Sequence, residues 1–292
     1  METVDNLWTE PGQETAGGRR NVRSNVKLLS RIKERLEAPE RGAATMTARL
    51  LDCLVLTYAV PAARVRPHLP DGLPPDLLPG PDGEPLAFLQ TVCAYWDDLR
   101  WSPARLGSGD SYHRCDYRIL TRKDGRRGAF SVCLFVGTSP AHLAQRALAR
   151  NADYGRFSVH ISGDPVRGRF QSYSLRLAGD LGRTEIEVAA PEGEADPAAP
   201  APFGSPEDMA LFLTQREEWY YAAALPRRGI GLTPVEHEPL TPSPGRLVSA
   251  KLTPWTTLDL LSPEEQQVPH SALLEPAVNV TLYPPRLAKL AK

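Results

Sequence analysis

The chain has 292 residues, a formal net charge of −1 and 41% hydrophobic residues, which is the composition of an ordinary globular protein. The near-neutral charge excludes a nucleic-acid binder that works through bulk positive charge, although it is compatible with a local basic patch. The 29 prolines are roughly twice the average usage, and 28 arginines stand against only six lysines. The length permits one large domain or two small ones.

The chain shows no sequence signal for export or for insertion into a membrane. Residues 1–21 lack the apolar core of a cleaved signal peptide, and no apolar run reaches the roughly 18 to 20 residues that span a bilayer. The cysteines at 53, 93, 115 and 133 are too far apart for a Cys-x-x-Cys redox or zinc motif, and each lies in an apolar run. We therefore predict a cytoplasmic protein with reduced, buried cysteines.

The first 45 residues are predicted to be an extension outside the main domain. Residues 1–24 are polar, and four apolar residues then recur at helical spacing among basic side chains. These four are Val26, Leu29, Ile32 and Leu36. The pattern predicts one short amphipathic helix with a basic outer face, compatible with docking on the main domain, pairing with another subunit or contact with a membrane surface. We favour docking, because a single stripe is weak evidence for lipid binding.

Residues 46–292 are predicted to form one domain that is rich in β-strands. Short apolar runs alternate there with turn signals such as Asp124-Gly125. The predicted strands cover 47–59, 86–96, 112–122, 128–137, 157–163, 168–178, 183–189, 246–253 and 277–283. Since Lys123–Arg127 lies between two clear strands, residues 112–137 are predicted to form a β-hairpin. Many strands at hairpin spacing favour an antiparallel sheet that is curved or closed into a barrel.

Two helices are predicted to interrupt the strands. Ser139-Pro140 is an N-cap followed by proline at the first helical position, and it begins a helix over 140–151. Ser205-Pro206 repeats this pattern with acidic residues in the first turn, and it begins a helix over 206–224. The segment 190–204 between them is rich in alanine, proline and acidic residues, so we predict a mobile loop there.

The motifs of several common enzyme classes are absent from the sequence. It contains no GxGxxG or GxxxxGK[ST] phosphate loop, no GxSxG nucleophile elbow and no HExxH zinc motif. The six histidines form no tight ligand pair, and basic residues do not alternate with aromatic ones as they do in RNA-binding strands. We therefore predict neither a metal ion nor a cofactor, and no nucleic-acid partner.

One face of the predicted strand 112–122 carries an unusual set of charges. Arg114, Asp116 and Arg118 point to the same side, whereas Cys115 and its neighbours of the same parity point to the other. An acid flanked by two arginines suits either a solvated surface or a polar cavity inside a barrel. From the strand alone, the solvated surface is the favoured interpretation.

The second predicted helix places a charged side chain within an apolar stripe. Arg216 lies between Phe212 and Trp219 at helical spacing, and a buried guanidinium needs a carboxylate, carbonyl groups or an anionic ligand. A structural ion pair is the favoured interpretation, and a ligand clamp is the alternative. The segment Trp219-Tyr220-Tyr221 can supply either the walls of a cavity or plain core packing.

The first predicted helix places His142, Arg146 and Arg150 on one face. Such a stripe is usually exposed to solvent. If it faced a pocket, it would select anionic ligands.

Seven short motifs occur in a recognisable order between about Leu54 and Arg286. They are YAVPAARVRPHLPDGL (58–73), DYRILTRKDGRRGAFSV (116–132), SPAHLAQRALAR (139–150), SYSLR (172–176), FLTQREEWYY (212–221), VEHEP (235–239) and LYPPR (282–286). In this order they resemble the uncharacterised YqjF-like family of the acetoacetate decarboxylase-like superfamily, with Arg118 at the family's arginine. No single motif is specific, so the resemblance rests on their collinear order.

The resemblance implies an α+β fold, and it raises the question of whether this chain keeps the lysine chemistry of the superfamily. The expected fold is a curved, mostly antiparallel β-sheet closed into a cone or barrel around a cavity. The residue patterns described above add two main helices packed outside it and a short N-terminal helix. The best-known member of the superfamily decarboxylates acetoacetate through a lysine that forms a Schiff base. That lysine is expected near Ala149–Arg156, where this chain reads ARNADYGR and has none. Lys251 is the one other lysine that merits a test, and we do not expect it to substitute.

Two functional hypotheses follow from these patterns. The first is a small-molecule enzyme without the Schiff-base lysine, with lyase, isomerase or cyclase chemistry on an oxo-acid or polyketide-like substrate. The alternative is a non-catalytic protein that binds a carboxylate or a lipid-like ligand in the same central cavity, and a homo-oligomer is left open in both cases. The candidate acid–base groups are Tyr154 and His237, and the candidate substrate-binding residues are Arg118, Arg146, Arg216, Trp219 and Tyr220.

Overall fold

A computed structural model of the chain describes residues 45–102, 110–149, 151–164, 169–191, 199–224 and 229–290. Residues 1–44, with the predicted N-terminal helix, lie outside these residues, and so do residues 192–198 of the predicted mobile loop at 190–204. In the described ranges, no helix combines the length and the apolar character needed to cross a membrane.

The described residues form fourteen strands and four short α-helices. The strands are β1 (Thr45–Pro61), β2 (Leu78–Pro79), β3 (Pro85–Ser102), β4 (Asp110–Lys123), β5 (Arg126–Val136), β6 (Ala152–Tyr154), β7 (Arg156–Asp164), β8 (Arg169–Gly179), β9 (Gly182–Ala189), β10 (Glu218–Ala222), β11 (Ile230–His237), β12 (Ser243–Leu252), β13 (Ser271–Leu282) and β14 (Arg286–Leu287). The helices are α1 (Ala62–Val65), α2 (Ser139–Leu148), α3 (Pro206–Thr214) and α4 (Thr253–Thr257), and short 3-10 helices occupy Arg66–His68 and Glu265–Gln267.

The hairpin predicted over 112–137 is formed by β4 and β5. Asp124 and Gly125 have positive φ angles of 50° and 78°, so they make a two-residue turn of the kind that an Asp-Gly pair favours. Lys123 and Arg126 pair across this turn, and the ladder continues down to Arg114. The local sequence was sufficient to predict this hairpin, because the turn residues and the two apolar runs on either side of them all favour it.

Seven strands of one mixed sheet close into a ring. The hydrogen-bonded order is β11–β10–β5–β4–β3–β1–β13, and β13 pairs back to β11. Four further strands extend from β13 as an arm, in the order β12–β9–β8–β7. Among the named strands of the described chain, β6 and β10 run parallel to β5 and the other neighbours are antiparallel. The predicted α+β class and mostly antiparallel sheet are confirmed, whereas a cone or barrel is not.

The ring strands bury apolar side chains on both faces. Their outer face and the arm enclose one core, in which Trp255 is fully buried and donates its indole N–H to Thr91 Oγ1 at 3.0 Å. Their inner face forms a second core with Phe88, Leu120 and Val280. The alternation of β-strand side chains therefore gives each ring strand one face toward the arm and one toward the interior of the ring.

The helix predicted over 206–224 ends early. Its start is as predicted, since Ser205 Oγ accepts a hydrogen bond from the backbone N–H of Asp208 at 3.1 Å. The helix stops at Thr214, and Glu218–Ala222 instead form β10, which lies parallel to β5. The aromatic segment suits a strand as well as a helix, and the pairing with a distant strand decides between them. Strands β2, β6, β11 and β14 were also not predicted.

Two further details of the helices differ from the predictions. The N-cap of α2 is Thr138, whose Oγ1 accepts from the backbone N–H of Ala141 at 3.4 Å, so the helix begins one residue earlier than predicted. Helix α3 was expected outside the sheet, but its buried side chains Phe212 and Leu213 belong to the inner core of the ring. It therefore packs against the same face of the sheet as the cavity described below.

Candidate functional site

The charged face of β4 points into the ring. Arg114, Asp116 and Arg118 are only 8%, 7% and 6% exposed, whereas Cys115 and Tyr117 between them face the core under the arm. The sequence left a solvated surface and a polar cavity open and favoured the surface. That preference was wrong, because closure of the ring encloses this face of the strand.

A cavity with a volume of about 50 Å³ lies beside these three charged residues. Its walls are Leu50, Cys53, Val55, Val92, Ala94, Trp96, Arg114, Asp116, Arg118, Thr214, Trp219, His237, Leu240, Val278 and Val280. A second cavity of about 50 Å³ adjoins it and shares Arg114, Asp116, Arg118 and Trp219. The charged residues thus form a wall between two small chambers, and the combined space suits a ligand of modest size with at least one anionic group.

Arg114 is held rigidly between two indole rings. Its guanidinium carbon lies 4.8 Å from the ring centre of Trp96 and 4.9 Å from that of Trp219, which are cation–π distances. One of its terminal nitrogens also lies 3.3 Å from Asp116 Oδ2. Because the two rings and the carboxylate fix its position, Arg114 contributes a preorganised positive charge to both chambers.

Asp116 is satisfied on both of its oxygens. Oδ2 faces Arg114, and Oδ1 accepts a hydrogen bond from the hydroxyl of Ser131 on β5. The backbone carbonyl of Ser131 in turn accepts from the side-chain amide of Asn151 at 2.7 Å. This chain of bonds crosses from β4 to the segment after α2 and fixes the carboxylate in place.

Arg118 keeps part of its guanidinium available. Its Nε donates to Gln90 Oε1 at 3.0 Å, and Gln90 is held by Thr57 Oγ1 at 3.3 Å and by the carbonyl of Leu213 at 2.8 Å. Within the described ranges, the two terminal nitrogens of Arg118 have no hydrogen-bond partner. Burial lowers the pKa of Arg118 and the nearby Asp116 opposes that effect. The side chain therefore presents two charged NH2 groups that can bind a carboxylate.

His237, at the end of β11, contributes the titratable group of the first chamber. Its Nδ1 lies 2.7 Å from the carbonyl oxygen of Glu238, and since a carbonyl only accepts, this bond assigns the proton to Nδ1. Burial and the charge of Arg118 lower the pKa of His237, while backbone hydrogen bonds to Glu238 and Thr214 raise it. The net effect is a lowered pKa, so the ring is neutral at pH 7 and Nε2 can act as a base.

Three half-buried histidines make stability depend on pH. Burial lowers the pKa of His113, His237 and His270 below the ordinary value of 6.5. The unfolded chain then binds protons that the folded chain does not, so their contribution to stability is present above about pH 6.5 and is lost as the pH falls below that value. We expect the free energy of unfolding, measured by urea denaturation, to decrease between about pH 7.5 and about pH 5.5.

Matched variants separate this effect from general acid sensitivity. Replacing all three histidines by glutamine should remove most of the pH slope, whereas each single replacement should remove only part of it. Glu275 acts in the opposite direction at lower pH, because burial raises its pKa. A triple variant that keeps the wild-type slope would contradict the assignment to these three histidines.

The other residues predicted for the site are divided between the interior and the surface. Trp219 lines both chambers and Tyr220 lines the second. The hydroxyl of Tyr220 donates to Glu218 Oε2. Tyr154 is 41% exposed, and Arg146 is exposed on α2. Neither of these two lines the chambers, and Arg150 lies outside the described residues.

Arg216 is fully buried but belongs to an ion pair. Its Nη1 donates to Asp76 Oδ2 at 2.7 Å, and its other terminal nitrogen donates to the carbonyl of Phe212. Arg127 lies 3.9 Å from the same carboxylate oxygen. The favoured sequence interpretation, a structural ion pair, describes this geometry, although Arg216 follows the helix and is not part of it.

Several residues that line the chambers or hold their arginines in place were not among the candidates drawn from the sequence. Trp96 and Gln90 position Arg114 and Arg118 from β3, but an isolated tryptophan or glutamine in an apolar run carries no functional signal by itself. Arg114 and Asp116 were visible in the alternation of β4. The missing information was which face of that strand the fold encloses.

The described lysines lie away from the chambers. Lys251 and Lys289 are exposed, and Lys123 pairs with Asp124 in the hairpin turn. The lining residues of both chambers, as far as the structure describes the chain, include no lysine. The described residues also contain no cluster of three or more potential metal ligands.

Residues 47–278 match the sequence profile of DUF2071, which is described as an uncharacterized conserved protein. This chain belongs to the DUF2071 family. A search of curated proteins finds no match to it. The prediction of an uncharacterised family is confirmed, and the solved structures that the chain resembles have the acetoacetate decarboxylase-like fold that was predicted.

Three solved structures resemble this DUF2071 protein along most of their length. The enduracididine biosynthesis enzyme MppR complexed with pyruvate is 16% identical, with a TM-score of 0.51 over 86% of this chain and 92% of that one. An acetoacetate decarboxylase-like enzyme from Sphingomonas wittichii RW1 is 12% identical, with a TM-score of 0.53 over 86% and 95%. Acetoacetate decarboxylase from Legionella pneumophila is 12% identical, with a TM-score of 0.52 over 88% and 92%. At these identities the DUF2071 protein shares their fold, and its chemistry has to be argued from its own residues.

Proposed function

We propose that this protein is a small-molecule enzyme that binds an oxo-acid in the ring cavity and transfers a proton on it without a Schiff-base lysine. The observation that carries the proposal is the meeting of two buried arginines, a buried carboxylate and a neutral histidine at one cavity. A cavity that only held an apolar ligand would not need titratable groups that converge on one point. The proposed setting is the cytoplasm.

The arginines would bind and polarise the substrate. The free terminal nitrogens of Arg118 suit the carboxylate, and the fixed charge of Arg114 would stabilise negative charge that develops on the keto oxygen. Both groups are in place before the ligand arrives, so little reorganisation is needed in the transition state. MppR, which shares this fold, is complexed with pyruvate in its solved structure, and this supports the choice of oxo-acids as the first class to test.

His237 would move the proton. With its proton on Nδ1, the ring can accept a proton at Nε2 from the carbon next to the keto group, which gives an enolate. Returning the proton to another atom, or letting the enolate carbon react, leads to isomerase, lyase or cyclase chemistry. Tyr154, the other acid–base candidate, does not line the cavity and takes no part in this proposal.

Isotope exchange tests the proposal directly. In D2O, the protein should exchange the methyl protons of pyruvate, and NMR would follow the loss of the methyl signal. His237→Gln should reduce the exchange rate by about 100-fold or more, because it removes the base and keeps a side chain of similar size. The wild-type rate should rise as the pH increases through the lowered pKa of His237 and then level off near neutrality. The variant should lose that pH dependence.

Trapping an imine with borohydride is the control for the proposal that no lysine forms a Schiff base with the substrate. Borohydride added with pyruvate or acetoacetate should leave the mass of the protein unchanged, because no lysine lines the described cavity. A stable adduct would show that a lysine takes part in the reaction. Exchange that persists in His237→Gln at the wild-type rate would assign the proton transfer to another group.

A non-catalytic binding protein is the second candidate, and the apolar walls of the first chamber favour it. Val55, Val92, Ala94, Val278 and Val280 line this chamber and suit the chain of a lipid-like or branched acid. Tight binding of pyruvate or a larger oxo-acid without any exchange of its protons would support this alternative over the enzyme.

A further inference from the structure

Two buried cysteines face each other on the side of the sheet that is turned away from the cavity. Cys93 on β3 pairs directly with Cys115 on β4, and their sulfur atoms lie 2.7 Å apart. Cys93 is 2% exposed and Cys115 is fully buried, in the core between the ring and the arm. Both are free thiols. This pair has no part in the proposed reaction.

The positions of the two residues suit a disulfide bond. Directly opposed residues on antiparallel strands have Cα atoms about 4.5–5.5 Å apart, which falls within the range of about 4.4–6.8 Å found for disulfides. A disulfide S–S bond is about 2.05 Å long, so the sulfur atoms need to approach by only about 0.7 Å from their present 2.7 Å. We propose that Cys93 and Cys115 form an oxidative modification site that closes an intramolecular disulfide.

Cys53 and Cys133 are placed less favourably for a disulfide bond. Cys53 lines the cavity and so lies on the opposite face of the sheet from Cys93. Cys133 shares the core under the arm, but its cross-strand partner is Tyr117 and not a cysteine. The strand register therefore selects one pair out of the four thiols.

Hydrogen peroxide is a suitable oxidant because it is small enough to reach a buried thiol. One thiolate attacks a peroxide oxygen, and an S–O bond forms as the O–O bond breaks, which gives a sulfenic acid. The leaving hydroxide takes up the proton that the thiol released and becomes water. The second sulfur then attacks the sulfenic sulfur, and the S–O bond breaks with loss of a second water. Two thiols are oxidised by two electrons in total, and one peroxide is reduced to two waters. Burial raises the pKa of Cys115, so the reaction is expected to be slow at neutral pH.

The disulfide would join two strands directly behind the charged wall of the cavity. On either side of the cysteine pair in the ladder, Ala94 pairs with Arg114 and Val92 pairs with Asp116. A bond between Cys93 and Cys115 would fix the register of these strands and reduce the freedom of the unfolded chain between positions separated by 22 residues. Oxidation should therefore raise the melting temperature, by about 5 °C for a chain of this size.

The experiment is a thiol count and a peptide map of the full chain before and after treatment with hydrogen peroxide. Denatured, untreated protein should show four free thiols, and treated protein should show two. Mass spectrometry should find the peptides of Cys93 and Cys115 joined, and dithiothreitol should reverse both changes. Four remaining thiols, or a bond that joins Cys115 to Cys133 instead, would overturn the proposal.

Cysteine variants supply the matched controls. Cys93→Ala and Cys115→Ala should each lose the cross-link and the rise in melting temperature, whereas Cys53→Ala should keep both. If the core variants fail to fold, the peptide map of the wild-type protein still decides the question. Because this readout does not involve the cavity or a substrate, its failure would leave the proposed enzyme activity unaffected, and the reverse also holds.

Discussion

Arg216→Ala is expected to lower the free energy of unfolding by about 3–5 kcal/mol. Arg216 and Asp76 are each about 1% exposed and are joined by a hydrogen-bonded ion pair of 2.7 Å. Removing the guanidinium leaves the Asp76 carboxylate buried, with Arg127 at 3.9 Å as the other cation beside it, and a buried charge that loses its main partner is costly. Urea denaturation followed by far-UV circular dichroism would measure the change.

Two comparisons make this test specific. Arg156→Ala, at an exposed position on β7, should change the free energy of unfolding by no more than about 0.5 kcal/mol. Asp76→Asn alone should also destabilise the protein, and the double variant should lose less than the sum of the two single variants, since both act on one ion pair. Equal losses for Arg216→Ala and Arg156→Ala would show that Arg216 is in contact with solvent.

Arg118→Gln is expected to weaken the binding of pyruvate by about 10- to 100-fold. A hydrogen bond to a charged group contributes about 1.5–3 kcal/mol, and the variant removes both the charge and the two terminal NH2 groups beside the cavity. Isothermal titration calorimetry would measure the affinity, and the melting temperature of each variant would confirm that the fold is retained.

A variant of the neighbouring Gln90 distinguishes direct binding from positioning. Gln90→Leu keeps the charge of Arg118 but removes the acceptor that orients its Nε, so it should cost less affinity than Arg118→Gln. Arg156→Ala should bind pyruvate like the wild type, because it lies on the arm away from the chambers. Wild-type affinity in Arg118→Gln would place the carboxylate elsewhere and would count against the proposed function.

Local sequence patterns predicted the parts of the fold that are decided locally. The hairpin of β4 and β5 follows from an Asp-Gly turn between two apolar runs, and the start of α3 follows from the cap at Ser205. The end of α3 could not be predicted in this way. Trp219 and its neighbours fit a helical stripe and a strand equally well, and the pairing with β5, about 90 positions earlier in the chain, decides for the strand.

The residues of the candidate site could also be predicted only in part. The sequence identified Arg118, His237 and Trp219, which the structure brings to one chamber, but it also proposed Arg146 and Tyr154, which lie outside it. The residues that line the chamber and those outside it looked alike in the sequence. The spacing of a helix or strand predicts which residues share a face, but it does not predict what that face contacts. The interpretation of Arg216 as a member of an ion pair needed only the rule that a buried guanidinium requires a partner, but Asp76 could not be named, since it lies 140 residues away.

The sequence by itself determined the local chemistry of this protein: the alternation of charges on β4, the turn and cap residues, the absence of common cofactor motifs, and the order of motifs that indicates the superfamily. The tertiary structure alone decided which of those charges are buried. The three charged residues of β4 become the wall of a cavity because β13 pairs with β11 and closes the ring around them. That closure depends on pairing between strands far apart in the chain, so no local pattern of residues could reveal it.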